Sequence, residues 1–477
     1  MARTIWIMVL AVLLGACARL PQHLPGGKMA QRTEFSRTLV RYAGHSGIVA
    51  GAWPQTAWWK SARSPVLNAL MASAFLDNPS LRLATARIIA ARAAASGQRA
   101  PLLPHFSAGT SVTQEYFSAQ GLHTTANGSS VLYTELNPLE VQYHVDLWGR
   151  DSDQVRAALG TVRMAQADRA QARLLLSTRI AVHFFALAGD IQRRKRIQRV
   201  EHLNRVLLDL DQQRLRSGLI SAQVVYRQQE ACAAARRFVA GIDAGVRLQR
   251  HILAALAGHG PDWGQRIQAE SLPSFSLFAV PKNVPLRIAA RRPDLVAARW
   301  AIEVAAQKVG AARAAFYPDV NIALFAGWNS IHLGDLLNPG NFAHAVGPVI
   351  TLPIFEGGAL RAQLKEKNAL YMATEDHYRS TILNAVRQIA DRLAEWQRIR
   401  RQLSAQQDTT IAAGKTTRLE YTAFHSGISD LARLLSARII AAEAQTRLIA
   451  LQTANAEAWA LLNAALGGGY NGGGIHP

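Results

Sequence analysis

Cysteine is almost missing from this chain of 477 residues: Cys17 and Cys232 are the only two, which excludes a disulfide framework. Acidic residues are scarce as well, with 32 Asp and Glu against 53 Lys and Arg and a formal net charge of +21. That excess suits nucleic acid, but it suits anionic polymers or lipid head groups equally. Beyond the N-terminus no apolar run of eighteen residues is read, so no spanning helix is expected. The fourteen histidines form neither an HExxH element nor a paired metal spacing. A nucleophile elbow and a coherent acid/base pair are missing too, so the chain reads as no enzyme, with no metal and no cofactor. Wholesale disorder is excluded by a hydrophobic share of 49%, and the length allows two to four ordinary domains.

What is present begins at the N-terminus. Met1-Ala2-Arg3, the apolar run Ile5 to Leu14 and the small residues Gly15-Ala16 make a secretory signal, residues 1–16, too short to span a bilayer. Leu14-Gly15-Ala16-Cys17 resembles a bacterial lipoprotein box, which makes Cys17 the lipid-bearing, palmitoylated start of the mature chain. The other reading is an ordinary signal with a chance cysteine. Ala18, where an Asp would retain such lipoproteins at the inner membrane, points to the outer membrane of a Gram-negative cell. Export also removes nucleic acid as a partner.

Proline is distributed unevenly. Residues 139–260 and 354–476 contain none, and both runs are rich in helix-forming Ala, Leu, Arg and Gln. Leu176, Ile180, Phe184, Leu187 and Ile191 recur at helical steps in the first run, and Leu431, Leu435, Ile439 and Ala442 in the second. Each run is broken once, at Ser217-Gly218-Leu219-Ile220-Ser221 and at Ser426-Gly427-Ile428-Ser429-Asp430, where glycine ends one helix and Ser or Asp caps the next. Two helical hairpins follow, about 152–257 and 359–466. The first arm, from Ser152 to Gly218, is about 100 Å long at 1.5 Å per residue, a coiled-coil length.

The chain repeats itself. Asn78-Pro79-Ser80-Leu81 to Pro104 matches Arg292-Pro293-Asp294-Leu295 to Pro318 at an offset of 214, and the two hairpin breaks match at 209. Between the helices lie period-two segments, about 105–147 and 318–355. Leu139, Val141, Tyr143, Val145 and Leu147 alternate with Glu140, Gln142, His144 and Asp146, and Val320, Ile322, Leu324, Ala326 and Trp328 form one face in the second copy. Such alternation marks a half-exposed antiparallel sheet or a membrane barrel wall. Four strands cannot close a barrel, so a membrane role requires copies to pool them, and a trimer supplies twelve. The expected fold is mainly α with a membrane β-barrel part. The expected divisions are a lipid-anchored segment (17–60), repeat 1 (61–260), repeat 2 (261–469) and a Gly-rich tail (470–477).

Several elements together resemble the TolC-type outer-membrane efflux proteins, in the NodT-like lipoprotein branch that serves resistance-nodulation-division pumps. They are the box at Cys17, Trp58-Trp59, Asn78-Pro79-Ser80-Leu81, Val284-Pro285-Leu286, Arg291-Arg292-Pro293-Asp294-Leu295, Ala311 to Pro318, Phe355-Glu356-Gly357-Gly358 and Ala465-Leu466-Gly467-Gly468-Gly469. The resemblance implies a homotrimer with a twelve-stranded barrel in the outer membrane and a helical tunnel in the periplasm. It implies a drug-exporting exit duct whose partners are a periplasmic adaptor and an inner-membrane transporter. The tip motifs of the family fall on Ser217, Gly218, Leu219 and Ser221, and on Ser426, Gly427, Ile428 and Asp430. Many relatives carry an acidic constriction a few residues later, where this chain has Gln223, Val224, Arg433 and Ser436. The candidate gate is therefore a latch between Asp430 and Arg433 or a neighbouring subunit's basic residue.

Other features stay open at this level. Arg193 to Arg196 and Arg398-Arg400-Arg401 are either solvated helix faces or a belt toward an anionic polymer. Ala413-Gly414-Lys415-Thr416 mimics a phosphate loop, but Thr409 stands where its first glycine belongs. Gly467-Gly468-Gly469 and Gly472-Gly473-Gly474 read as a flexible tail. A poreless coiled-coil adaptor and a duct for protein secretion are the rival functions.

Overall fold

The computed structural model describes residues 47–120, 128–269, 271–281 and 284–472; Cys17, its signal segment and residues 473–477 lie outside that range. The described chain forms two compact units, one of residues 87–165 and 298–378, the other of 47–86, 166–297 and 379–472. Each unit draws on both sequence repeats, because strands from the two halves pair in one sheet.

In chain order the elements are β1 (Ile48–Ala50), α1 (Pro65–Asp77), α2 (Pro79–Gly97), β2 (His105–Tyr116), β3 (Ser130–His144), α3 (Arg150–Arg216) and α4 (Ala222–Leu256). Then follow β4 (Phe278–Val280), α5 (Val284–Arg291), α6 (Pro293–Ala314), β5 (Asp319–Ser330), β6 (Phe342–Thr351), α7 (Ala359–His425) and α8 (Leu431–Ala465). Helices α3 and α7 are each 67 residues long, and α4 and α8 each 35. Left-handed glycines repeat at the same offset of 209 residues: Gly149 with Gly358, Gly218 with Gly427, and Gly258 with Gly467. The helical half of the repeat is thus copied without a single insertion.

In the first unit the four strands form an antiparallel meander in the order β2-β3-β5-β6. Strand β3 carries one extra residue at Asn137-Pro138, and both neighbours shift register there. The bulge explains a proline in a central strand. It also explains Gly327, where a Cβ would stand 2.3 Å from the Leu136 carbonyl oxygen. Helices α6 and α7 pack through Val309, Ala312, Phe316 and Leu364.

The second unit is built on aromatic rings. Phe275 stacks on Trp459 at 4.0 Å, Trp58 lies 5.4 Å from Trp459, and Trp59 meets Phe75 edge-on. Strands β1 and β4 pair in parallel beside them. Helix α3 corrects one sequence reading, since it contains an eighteen-residue stretch apolar enough by composition to cross a membrane. Over half of that stretch is buried within the protein, with Ile180, Phe184, Phe185 and Leu187 inaccessible, which is the behaviour of a core helix. Gly467 to Gly469 are a second correction: all three are buried and left-handed, so they are no tail. A Cβ on Gly469 would lie 2.1 Å from the Gln55 backbone, and its carbonyl accepts the Thr56 hydroxyl.

Candidate functional site: strand faces and hairpin tips

The ladder register sorts the sheet into two faces. One face carries Phe106, Val141, Tyr143, Ile322, Leu324, Trp328, Val346 and Ile350 in cross-strand neighbourhoods. The other carries Ser107, Ser111, Glu135, Glu140, Gln142, Asn321 and Asn329. Glu135, Asn137, Glu140, Gln142 and Asn329 line a concavity on that polar side. Ser111 and Ser107 donate to Glu135 and Glu140, and Asn137 Nδ2 donates to Glu140 at 3.1 Å. The apolar face is open, with Phe106 66% and Ile350 65% exposed. Strands β2 and β6 each have one neighbour only, so both outer edges lack ladder partners within the described chain.

Where strands give way to helices, His144 links three elements. Its Nδ1 lies 2.5 Å from Asp151 on α3, and its Nε2 2.8 Å from Asp319 on β5. The Asp146 carboxylate accepts the backbone N–H groups of Asp151 and Ser152, capping the first turn of α3. Burial pushes the Asp146 carboxyl up, but the Ser152 and Asp151 hydrogen bonds and the nearby His144 outweigh it and hold it below the usual carboxylate range. Trp148 stacks on Tyr317 at 4.8 Å and donates its indole N–H to the Pro318 carbonyl. The sequence shows this clamp only as period-two polar positions, because its partners lie 7 and 175 residues from His144.

The tips are built alike. At the first, the Leu219 N–H reaches the Arg214 carbonyl and the Gly218 N–H the Leu215 carbonyl; at the second, Ile428 reaches Ala423 and Gly427 reaches Phe424. These are paired Schellman closures, which need glycine at the left-handed position. Each leaves an apolar side chain outside, Leu219 at 71% and Ile428 at 81% exposure. The second helix of each hairpin starts differently. Asp430 accepts the Arg433 backbone N–H at 2.8 Å, whereas the Ser221 side chain makes no capping bond.

Within the described chain Asp430 has two partners. Asp430 holds the Arg433 amide, not its guanidinium, and its other oxygen pairs with Arg214 Nη2 at 3.2 Å, joining the two tips of one chain. Arg214 was hidden from sequence reasoning because the pair spans 216 residues. The basic clusters are partly neutralised: Arg193 pairs with Asp190, Arg194 with Asp243 on α4, and Arg398 with Glu395, while Lys195 and Arg196 are exposed. Among the described residues no group of His, Cys, Asp and Glu could hold a metal.

The Arg-Arg-Pro-Asp element is a structural staple. Arg292 is 6% exposed and donates to both Asp294 oxygens, to Gln388 Oε1 and to the Ala465 carbonyl, tying α6 to α7 and to the end of α8. Removing one partner of so buried a charge costs about 3–5 kcal/mol.

A family model described as outer membrane efflux protein matches residues 70–259 and 284–468. Over 368 residues the chain is 30% identical to the fusaric acid resistance protein FusA of Burkholderia cepacia, covering 76% of this chain and 68% of that one. It is 27% identical to the putative multidrug resistance outer membrane protein MdtQ of Shigella flexneri, over 97% of each. Of solved structures, the outer membrane protein VceC of Vibrio cholerae superposes with a TM-score of 0.78 at 30% identity, covering 87% of this chain and all of that one. The CmeC outer membrane channel of Campylobacter jejuni shares the fold, with a TM-score of 0.82 at 18% identity over 95% of each chain. Long paired hairpins, a four-stranded sheet and a family match over most of the length lead to one assignment: this chain belongs to the outer membrane efflux proteins, the TolC-type channels of the outer membrane.

Proposed function

We propose that three copies of the chain close one twelve-stranded barrel through the outer membrane, continued in the periplasm by a helical tunnel. The duct conducts drugs or other small toxic compounds outward passively, and the chain itself performs no chemistry. The observation that carries this reading is the open sheet, apolar on one face and bare at β2 and β6. Unpaired backbone is not tolerated in lipid, and barrels need about eight strands or more. Three copies meet both conditions with a lumen wide enough for solute.

The remaining roles follow from position. Ser217, Gly218, Leu219 and Ser221, with Ser426, Gly427, Ile428 and Asp430, form the surface that meets a periplasmic adaptor and, through it, an inner-membrane transporter that supplies the energy. The exposed Leu219 and Ile428 side chains give such a partner apolar knobs to bury. A lipid on Cys17 fastens the mature chain to the outer membrane. Resistance to several drugs or to fusaric acid, for which two relatives are named, gives the cargo its character.

Purified full-length protein tests the reading. Its mass in detergent is expected to be that of three copies, and planar bilayers are expected to show discrete conductance steps. A monomer without conductance would sink the duct and favour a poreless scaffold.

A further inference from the structure

Charge is divided along this chain in a way that neither repeat nor fold requires. Between Arg99 and Arg150, and again between Arg313 and Arg361, there is no Lys or Arg at all, although the chain holds 53. Those two stretches contain all four strands of the large sheet. They carry seven carboxylates: Glu115, Glu135, Glu140, Asp146, Asp319, Asp335 and Glu356. A protein of net charge +21 has thus withheld every permanent cation from its sheet.

The acids are also placed on one side. Glu135 and Glu140 lie on the polar, concave face, held by Ser111, Ser107 and Asn137, which are neutral donors that leave the charge in place. Glu115, two residues from Thr113 on the same alternation, shares that face with them. Asp319 is already paired with His144, and Asp146 caps α3. No compensating arginine or lysine stands on any strand of the sheet.

We infer that the barrel wall is the charge filter of the duct and that it passes cations in preference to anions, a role fixed by Glu115, Glu135 and Glu140. The inference rests on the trimeric-duct reading above. Twelve strands about 4.8 Å apart and tilted about 40° enclose a ring roughly 24 Å across between backbones. Its half-width is then close to the Debye length of about 10 Å at 0.1 M salt, so wall charges are felt at the axis. Low-dielectric walls focus that field further. The tips do not supply the same selection, because Gln223, Val224, Arg433 and Ser436 occupy the positions after the turns and Asp430 is engaged with Arg214.

The test is the reversal potential of single channels in planar bilayers under a KCl gradient. Potassium is expected to permeate at least about threefold better than chloride near 0.1 M salt, with the preference fading near 1 M, where screening shortens to about 3 Å. The triple variant Glu115→Gln, Glu135→Gln, Glu140→Gln keeps each side-chain acceptor oxygen. It should bring the ratio to within about twofold of unity while step size and trimer mass persist. Conducting channels without cation preference, or a preference that survives the triple variant, overturn the inference alone. Absence of conductance from the wild-type protein overturns the duct reading and this one with it.

Discussion

Glu457 on α8 sits where water is scarce, facing Asp190 on α3. Burial is the main cause, and the Asp190 charge adds to it, pushing the Glu457 carboxyl up to about 7. Asp190 is raised by burial too, partly offset by its hydrogen bond and charge interaction with Arg193. An unfolded glutamate releases its proton near pH 4.5, whereas the folded one keeps it to about 7. Between those values the folded state holds the extra proton, so stability from this residue is complete below about 4.5 and falls as pH rises to 7. The full difference amounts to about 3 kcal/mol at most. Glu457→Gln removes the titration and is expected to unfold later than wild type above pH 7, with the two converging below pH 4.5. Chemical denaturation at pH 4, 6 and 8 measures this; parallel curves at all three would refute it.

Among elements, the hairpin turns show how much the sequence discloses. Glycine flanked by Ser, once in each proline-free run, is enough to place both turns, because only glycine adopts the left-handed closure without strain. The sequence does not disclose that Ser221 leaves its helix uncapped, nor that Asp430, while capping its own helix, also pairs with Arg214 from the other hairpin. Both groups are partly exposed, so their pair contributes only about 0–1 kcal/mol to folding. We propose that its weight falls on the closed tip instead. Asp430→Ala and Arg214→Ala are each expected to raise closed-state conductance, and the double variant no further than either single one. Additive increases would mean that the two residues act separately. Strands β1 and β4 were invisible for another reason: at three residues each, neither is long enough to show alternation. The Gly467 to Gly469 cap was misread because composition alone cannot distinguish a loose glycine tract from one forced into close backbone contact.

For the whole molecule, the equal lengths of α3 and α7 act as a ruler. Both turns lie 67 helical residues from their own starting glycines, Gly149 and Gly358, and the Arg214–Asp430 contact depends on their arriving together. Seven residues added to one helix alone would carry its turn about 10 Å further along, well beyond the reach of an ion pair. Inserting one heptad in α3 only is therefore expected to give a permanently leaky channel, and inserting matched heptads in α3 and α7 a sealed one; equal leakage from both variants would refute the ruler. Lengthening in this lineage has to come in matched pairs of insertions, each shielding the other from selection, so the two halves of the gene cannot drift in length independently.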